Sequence, residues 1–116
     1  MASLPETQHD LAPAQVEELV REGKLELIDV RETYEHDAGH IAGDRHIEMD
    51  GLPAAVSSLD PERAPVFYCR TGSRSAAATE AFRASGLEAY NMDGGIVAWV
   101  EAGLPIEPDD GRVADH

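Results

Sequence analysis

Two kinds of hydrophobic pattern alternate along the chain. The segments LELIDV at residues 25–30 and PVFYC at residues 65–69 are short and almost wholly apolar. Such runs are typical of strands buried on both faces of a parallel sheet, because a half-exposed strand would alternate apolar with polar residues. RHIEM at residues 45–49 and AYNM at residues 89–92 predict two further strands. Strand candidates are therefore spread over most of the chain.

The segments between these runs have helical spacing. In PAQVEELVREG, residues 13–23, a proline begins the pattern, apolar residues recur three and four positions apart, and Gly23 ends it. Residues 75–86, SAAATEAFRASG, are rich in helix-forming residues and end at Gly86. Strands that alternate with helices predict an α/β fold, a small parallel sheet with helices on both faces. Shorter helical segments are predicted at residues 33–39, 52–59 and 96–103.

Length and composition limit the class of protein. With 116 residues, 42% of them hydrophobic, the chain is long enough for one domain with its own core. We expect a flexible N-terminus at residues 1–9, one domain at residues 10–106 and an acidic tail at residues 107–116. No run approaches the roughly 18 apolar residues of a membrane helix, and the first residues do not resemble a signal peptide. These features predict a soluble, cytoplasmic protein.

The charge of the chain excludes some partners. Twenty-three acidic residues against nine lysines and arginines give a formal net charge of −14, which repels nucleic acid and anionic membrane surfaces. The stretch from Cys69 to Ser75 is a local exception, with two arginines and no acid. We expect the tail acids to lie far from that stretch and to be screened from it, since charges beyond about 8 Å interact weakly in water. These acids are Asp109, Asp110 and Asp115.

Cys69 is the chain's single cysteine, so an internal disulfide is impossible and a second molecule must complete any thiol chemistry. It follows a predicted strand, and ligands of open α/β sheets bind beyond the carboxyl ends of strands. The loop RTGSR after it contains Gly72 and runs into a helix opened by Ser75, so backbone N–H groups can converge there on an anion. These surroundings favour a reactive thiolate. The alternative is that Cys69 is a small buried apolar residue.

Three motifs follow one another along the chain: LIDVRETYEHDAGHIAGDRHI, CRTGSRS and YNMDGGIVAW. In this order they resemble the first-strand signature, the active-site loop and the closing Gly-Gly and Trp motif of the rhodanese family of sulfurtransferases. The resemblance covers residues 10–106 and implies a rhodanese-like parallel sheet of about five strands. The chain departs from the family pattern at Ala42, where a proline is usual, and at Asp44, where a small residue is common.

The resemblance implies a two-step sulfur transfer. Cys69 would attack the outer sulfur of thiosulfate or a related donor and hold that sulfur as a persulfide. A thiol, such as glutathione or a thioredoxin-like protein, or cyanide would then take it, with no cofactor or metal. The two arginines would form a positive pocket in a negative molecule and, with the backbone of the loop, bind the anionic donor. The implied binding residues are Arg70, Thr71, Gly72, Ser73 and Arg74.

Asp29 and Arg31 follow the neighbouring predicted strand. We expect them, together with Ser75, to support the loop rather than to contact substrate. We expect Arg31 to pair with Glu32 or Glu35.

Other motifs predict less. His36 and His40 have the spacing of a metal pair, but Gly39 interrupts the helix and no third ligand is placed, so we expect no metal. Trp99 is interpreted as a core residue. The sequence Asp93-Gly94-Gly95 is interpreted as a turn before the last helix.

Two alternative functions remain. Phosphatases and arsenate reductases of similar fold carry an arginine six positions after the cysteine, whereas Arg74 comes five positions after Cys69. The shorter loop favours a sulfur atom over a tetrahedral oxyanion. A non-catalytic rhodanese module that binds a partner protein is the other alternative, and the intact Cys69 argues against it.

Overall fold

A computed structural model describes residue 4 and residues 8–116, so most of the predicted flexible N-terminus at 1–9 lies outside the described residues. Within the described part of the chain, one sheet contains five strands, and each adjacent pair is parallel. The order across the sheet is β1-β5-β4-β2-β3. The strands are β1 Asp10–Leu11, β2 Leu25–Asp29, β3 Arg45–His46, β4 Ala64–Tyr68 and β5 Tyr90–Met92.

Helices connect the strands, as the alternating pattern predicts. Helix α4 begins at Ser73, two residues before the predicted start, because the amide of Ala76 already bonds to the carbonyl of Gly72. The predicted helix at 52–59 is a short α-helix followed by a 3₁₀ turn at Val56–Ser58. The helices are α1 Pro13–Arg21, α2 Thr33–Ala38, α3 Leu52–Ala55, α4 Ser73–Ala84 and α5 Gly95–Glu101.

Two strand predictions need correction. The third strand covers only Arg45–His46, because the chain leaves the sheet and forms a 3₁₀ turn that begins at Met49. Strand β1 was not predicted, since two residues are too few to show a period. It pairs with β5, and this pairing buries Leu11 fully opposite Met92.

The sheet separates two clusters of buried side chains. On one face, β-strand residues pack with α1 and α5, and Trp99 lies in this cluster with 4% of its surface exposed, as predicted. On the other face, Phe67 and Phe82 meet edge to face with ring centroids 4.9 Å apart. Burial of each such side chain stabilises the fold by roughly 1.5–3 kcal/mol. Helices on both faces thus hold the central strands β2 and β4 rigidly.

The register of the central strands brings the predicted site residues together. Asp29 lies opposite Tyr68, so the residues after β2 and the cysteine after β4 leave the sheet side by side at its carboxyl edge. Among the described helices, none is both long and apolar enough to cross a membrane.

Candidate active site

Cys69 lies directly after β4 and has no exposed surface. The amide of Gly72 donates to its Sγ at 3.1 Å, and the buried Ser75 hydroxyl donates at 3.4 Å. Donors of this kind stabilise a sulfur that carries negative charge. Two donors therefore contact the sulfur, and Gly72 supplies the only backbone donor to Sγ found among the described residues, whereas the sequence predicted several.

The Asp93-Gly94-Gly95 turn holds this loop in place. The amides of Ile96 and Val97 donate to the carbonyl oxygens of Cys69 and Arg70 at 2.9 and 3.1 Å. Gly95 has a φ of +61°, and a Cβ there would overlap those same carbonyl oxygens. The sequence indicated a turn here but gave no sign of its contact with the loop, because the two segments are far apart in the chain.

Arg74 forms a bidentate ion pair with Glu35. Its two terminal nitrogens each donate to a Glu35 carboxylate oxygen at 2.9 Å, and the Glu35 side chain is fully buried. Burial by itself raises the pKa of Glu35. The hydrogen bonds from Arg74 and from the amide of Glu32 lower it by more, so the pKa is below its usual value. The Arg74 charge is thus matched by a carboxylate from α2.

Arg31 does not pair with Glu32 or Glu35, so that prediction is wrong. Its guanidinium turns back onto Asp29, with nitrogen–oxygen distances of 2.9 and 2.8 Å, and also donates to the Gly39 carbonyl at 2.7 Å. Both side chains are fully buried, so the carboxylate at the end of β2 is the partner within reach. Burial raises the pKa of Asp29, but Arg31 lowers it to below its usual value. The pair fixes the chain between β2 and α2, beside the cysteine loop.

Three histidine rings stack next to this pair. His36 lies 4.0 Å from His40 and 4.5 Å from His46 between ring centroids, and its Nδ1 contacts Asp29 at 2.9 Å. Asp44 lies near enough to offer a third ligand atom within 4.8 Å of His36 and His40, which the sequence did not place there. Imidazole lone pairs lie in the ring plane, so nearly parallel stacked rings do not direct them at one ion. The absence of a metal stays a prediction.

Arg70 also meets a carboxylate. Its terminal nitrogen lies 3.4 Å from Oδ1 of Asp115. The expectation that Asp115 is distant from the loop is therefore wrong, because residues after 106 pack back along α2 instead of leaving the domain.

For the predicted binding residues the structure gives positions only, and their roles stay predictions. Arg70, Thr71 and Gly72 form the loop after Cys69, while Ser73, Arg74 and Ser75 form the first turn of α4.

Known proteins are similar to this chain in sequence. The family model described as "Rhodanese-like domain" matches residues 12–102. A putative sulfurtransferase YtwF of Bacillus subtilis is 36% identical over 72% of this chain and 81% of its own. Thiosulfate sulfurtransferase GlpE of Pseudomonas aeruginosa is 31% identical over 83% of this chain and 87% of its own. An uncharacterized Synechocystis protein is 33% identical over 90% of this chain, which spans only 59% of that relative's length.

Solved structures agree with the sequence comparison. A rhodanese-related protein from Thermoplasma volcanium has a TM-score of 0.76 and 31% identity, with 84% of this chain and 96% of that chain covered. A protein from Rhodopseudomonas palustris, described as a possible tyrosine phosphatase, has a TM-score of 0.75 and 26% identity, with 90% and 100% covered. The residues that match the family model include strands β2 to β5, the cysteine loop and the Gly-Gly turn, and this chain therefore belongs to the rhodanese-like domain family.

Proposed function

We propose that the chain is a sulfurtransferase that carries sulfane sulfur on Cys69. The observation behind this proposal is the sulfur of the only cysteine, held at the carboxyl edge of the sheet by the Gly72 amide and the Ser75 hydroxyl. These donors stabilise the thiolate before attack and again when Cys69 leaves the persulfide. Sulfurtransferase names among the relatives support the same chemistry.

The reaction has two balanced steps. The Cys69 thiolate attacks the outer sulfur of thiosulfate or a related donor, the donor's sulfur–sulfur bond breaks, and sulfite departs with the bonding electrons. An acceptor thiolate or cyanide then attacks the outer sulfur of the persulfide, and the Cys69 thiolate is released. Because Cys69 has no exposed surface, the residues that cover it must move before the donor can reach it. Glutathione or a thioredoxin-like thiol is the proposed acceptor, and we place the reaction in the cytoplasm.

A phosphatase is the second candidate, supported by the description of the Rhodopseudomonas palustris structure. A phosphatase needs an arginine free to bind the phosphate oxygens over the cysteine. Arg74 already donates both terminal nitrogens to the buried Glu35 carboxylate. Its guanidinium is therefore engaged by the protein itself, which argues against the phosphatase.

Intact mass spectrometry tests the proposal. After incubation with thiosulfate and removal of the excess, we expect the protein to gain the mass of one sulfur atom, and cyanide should remove it as thiocyanate. Cys69→Ser should gain nothing, because a hydroxyl cannot carry a persulfide, while Ser57→Ala, an exposed site remote from the loop, should behave as the wild type. An unmodified wild-type protein that hydrolyses aryl phosphates would instead support the phosphatase.

A further inference from the structure

The C-terminal residues run along α2 and are tied to it by backbone hydrogen bonds. Glu107 and His40 exchange two such bonds, at 2.7 and 2.9 Å. Further on, the amide of Arg112 donates to the carbonyl of Ala38 at 2.9 Å. A Cβ on Gly39 would overlap the backbone of Arg112, so this close contact requires glycine directly after α2. Backbone hydrogen bonds therefore fix the path of the segment.

This path ends beside the cysteine loop. Ala114 is buried, with 4% of its surface exposed, and the Tyr34 hydroxyl donates to the carbonyl of Asp115 at 3.1 Å. These contacts place the Asp115 carboxylate 3.4 Å from the guanidinium of Arg70, the residue next to Cys69. The carboxylate itself is 99% exposed, but its anchored backbone keeps it within reach of Arg70.

Asp115 changes the charge at the proposed site. Since Glu35 already forms an ion pair with Arg74, Arg70 is the other guanidinium of the Cys69–Ser75 stretch that could attract an anionic donor. We propose that Asp115 is a specificity-determining residue, which competes for Arg70 and shifts the preference from dianionic sulfur donors towards donors with a single negative charge. This inference rests on the proposed sulfur transfer.

Two small donors separate the classes by charge. Thiosulfate is a dianion, whereas methanethiosulfonate carries one negative charge on a similar sulfur–sulfur unit. In both cases the Cys69 thiolate takes the outer sulfur, and sulfite or methanesulfinate leaves with the bonding electrons. The charge of the donor is therefore the main difference between the two reactions.

The main experiment compares D115N with D110N, which removes the same charge from an exposed residue in the same segment. With cyanide as acceptor, D115N should lower the KM for thiosulfate about two- to five-fold, the size expected of an exposed ion pair. Its KM for methanethiosulfonate should fall less, and kcat should change little for either donor. D110N should leave the ratio of the two KM values unchanged. Equal ratios in D115N, D110N and the wild type would overturn the inference.

A second measurement does not depend on sulfur transfer. The single thiol is alkylated either by iodoacetate, an anion, or by neutral iodoacetamide, and intact mass gives both rates. D115N should raise the rate ratio of iodoacetate to iodoacetamide, and D110N should not. If no donor forms a persulfide but this ratio rises, the proposed function is wrong while the electrostatic effect of Asp115 stands. An unchanged ratio contradicts that effect directly.

Discussion

At the scale of single residues, the site depends on buried ion pairs that the sequence did not predict. Glu35 accepts both terminal nitrogens of Arg74, and Asp29 accepts Arg31. In each case an arginine near the cysteine loop is held by a carboxylate, from α2 for Arg74 and from the end of β2 for Arg31. The arginines therefore shape the loop as well as the charge around it.

Breaking the buried Glu35–Arg74 pair should lower the free energy of unfolding far more than breaking an exposed pair. Glu35→Gln leaves the arginine charge unmatched, and we expect the free energy of unfolding in urea to fall by about 1–3 kcal/mol. Glu17→Gln is the matched control, because it breaks the exposed helical pair of Glu17 with Arg21. It should change stability little. Equal losses in both variants would show that burial does not strengthen the Glu35 pair.

The same carboxylates predict acid sensitivity. Asp29 and Glu35 have lowered pKa values in the folded state, so their stabilisation is present above the unfolded pKa and is lost as the pH falls through the folded pKa. The free energy of unfolding should therefore decline below about pH 4, the range of free carboxyl groups. Asp44 opposes this effect, because burial raises its pKa. Urea titrations should show a smaller decline in Glu35→Gln, and an identical decline would contradict the assignment.

At the scale of elements, the loop depends on the turn before α5. Gly95→Ala would drive a Cβ into the carbonyls of Cys69 and Arg70, so sulfur transfer should fall more than ten-fold in kcat/KM, with some loss of stability. Gly103→Ala is the control, since Gly103 also has a positive φ but has open space around it. That variant should lose about 1–2 kcal/mol of stability and keep its activity. Equal activity in the two variants would show that the turn does not position the loop.

Sequence patterns predicted the elements with a strong local signal. The apolar runs of β2 and β4 and the helix after the cysteine are correct because each is long enough to show its burial pattern. Strand β1 and the short extent of β3 were missed, since both depend on pairing with distant strands. The partner of Arg31 was missed for a similar reason: sequence distance does not show that the side chain folds back onto Asp29.

At the scale of the whole molecule, local composition was a poor guide to local charge. The stretch from Cys69 to Ser75 contains no acid, which predicted a positive pocket. In the folded chain, Glu35 and Asp115 approach it from 39 and 45 residues away and meet Arg74 and Arg70. Folding thus brings acids to a stretch that has none of its own, while the binding role of the two arginines stays a prediction.

This arrangement predicts how salt affects the proposed reaction. Because Arg74 is paired with Glu35 and the Asp115 carboxylate lies 3.4 Å from Arg70, we expect a thiosulfate dianion to meet mainly the field of a molecule with a net charge of −14. Salt shortens the screening length from about 30 Å at 0.01 M to about 8 Å at 0.15 M, so it weakens that repulsion more than any contact at the loop. The kcat/KM for thiosulfate should rise over this range in potassium chloride. Methanethiosulfonate, with half the charge, should show a smaller rise. A fall in kcat/KM for thiosulfate with added salt would mean that attraction to Arg70 outweighs the field of the whole chain.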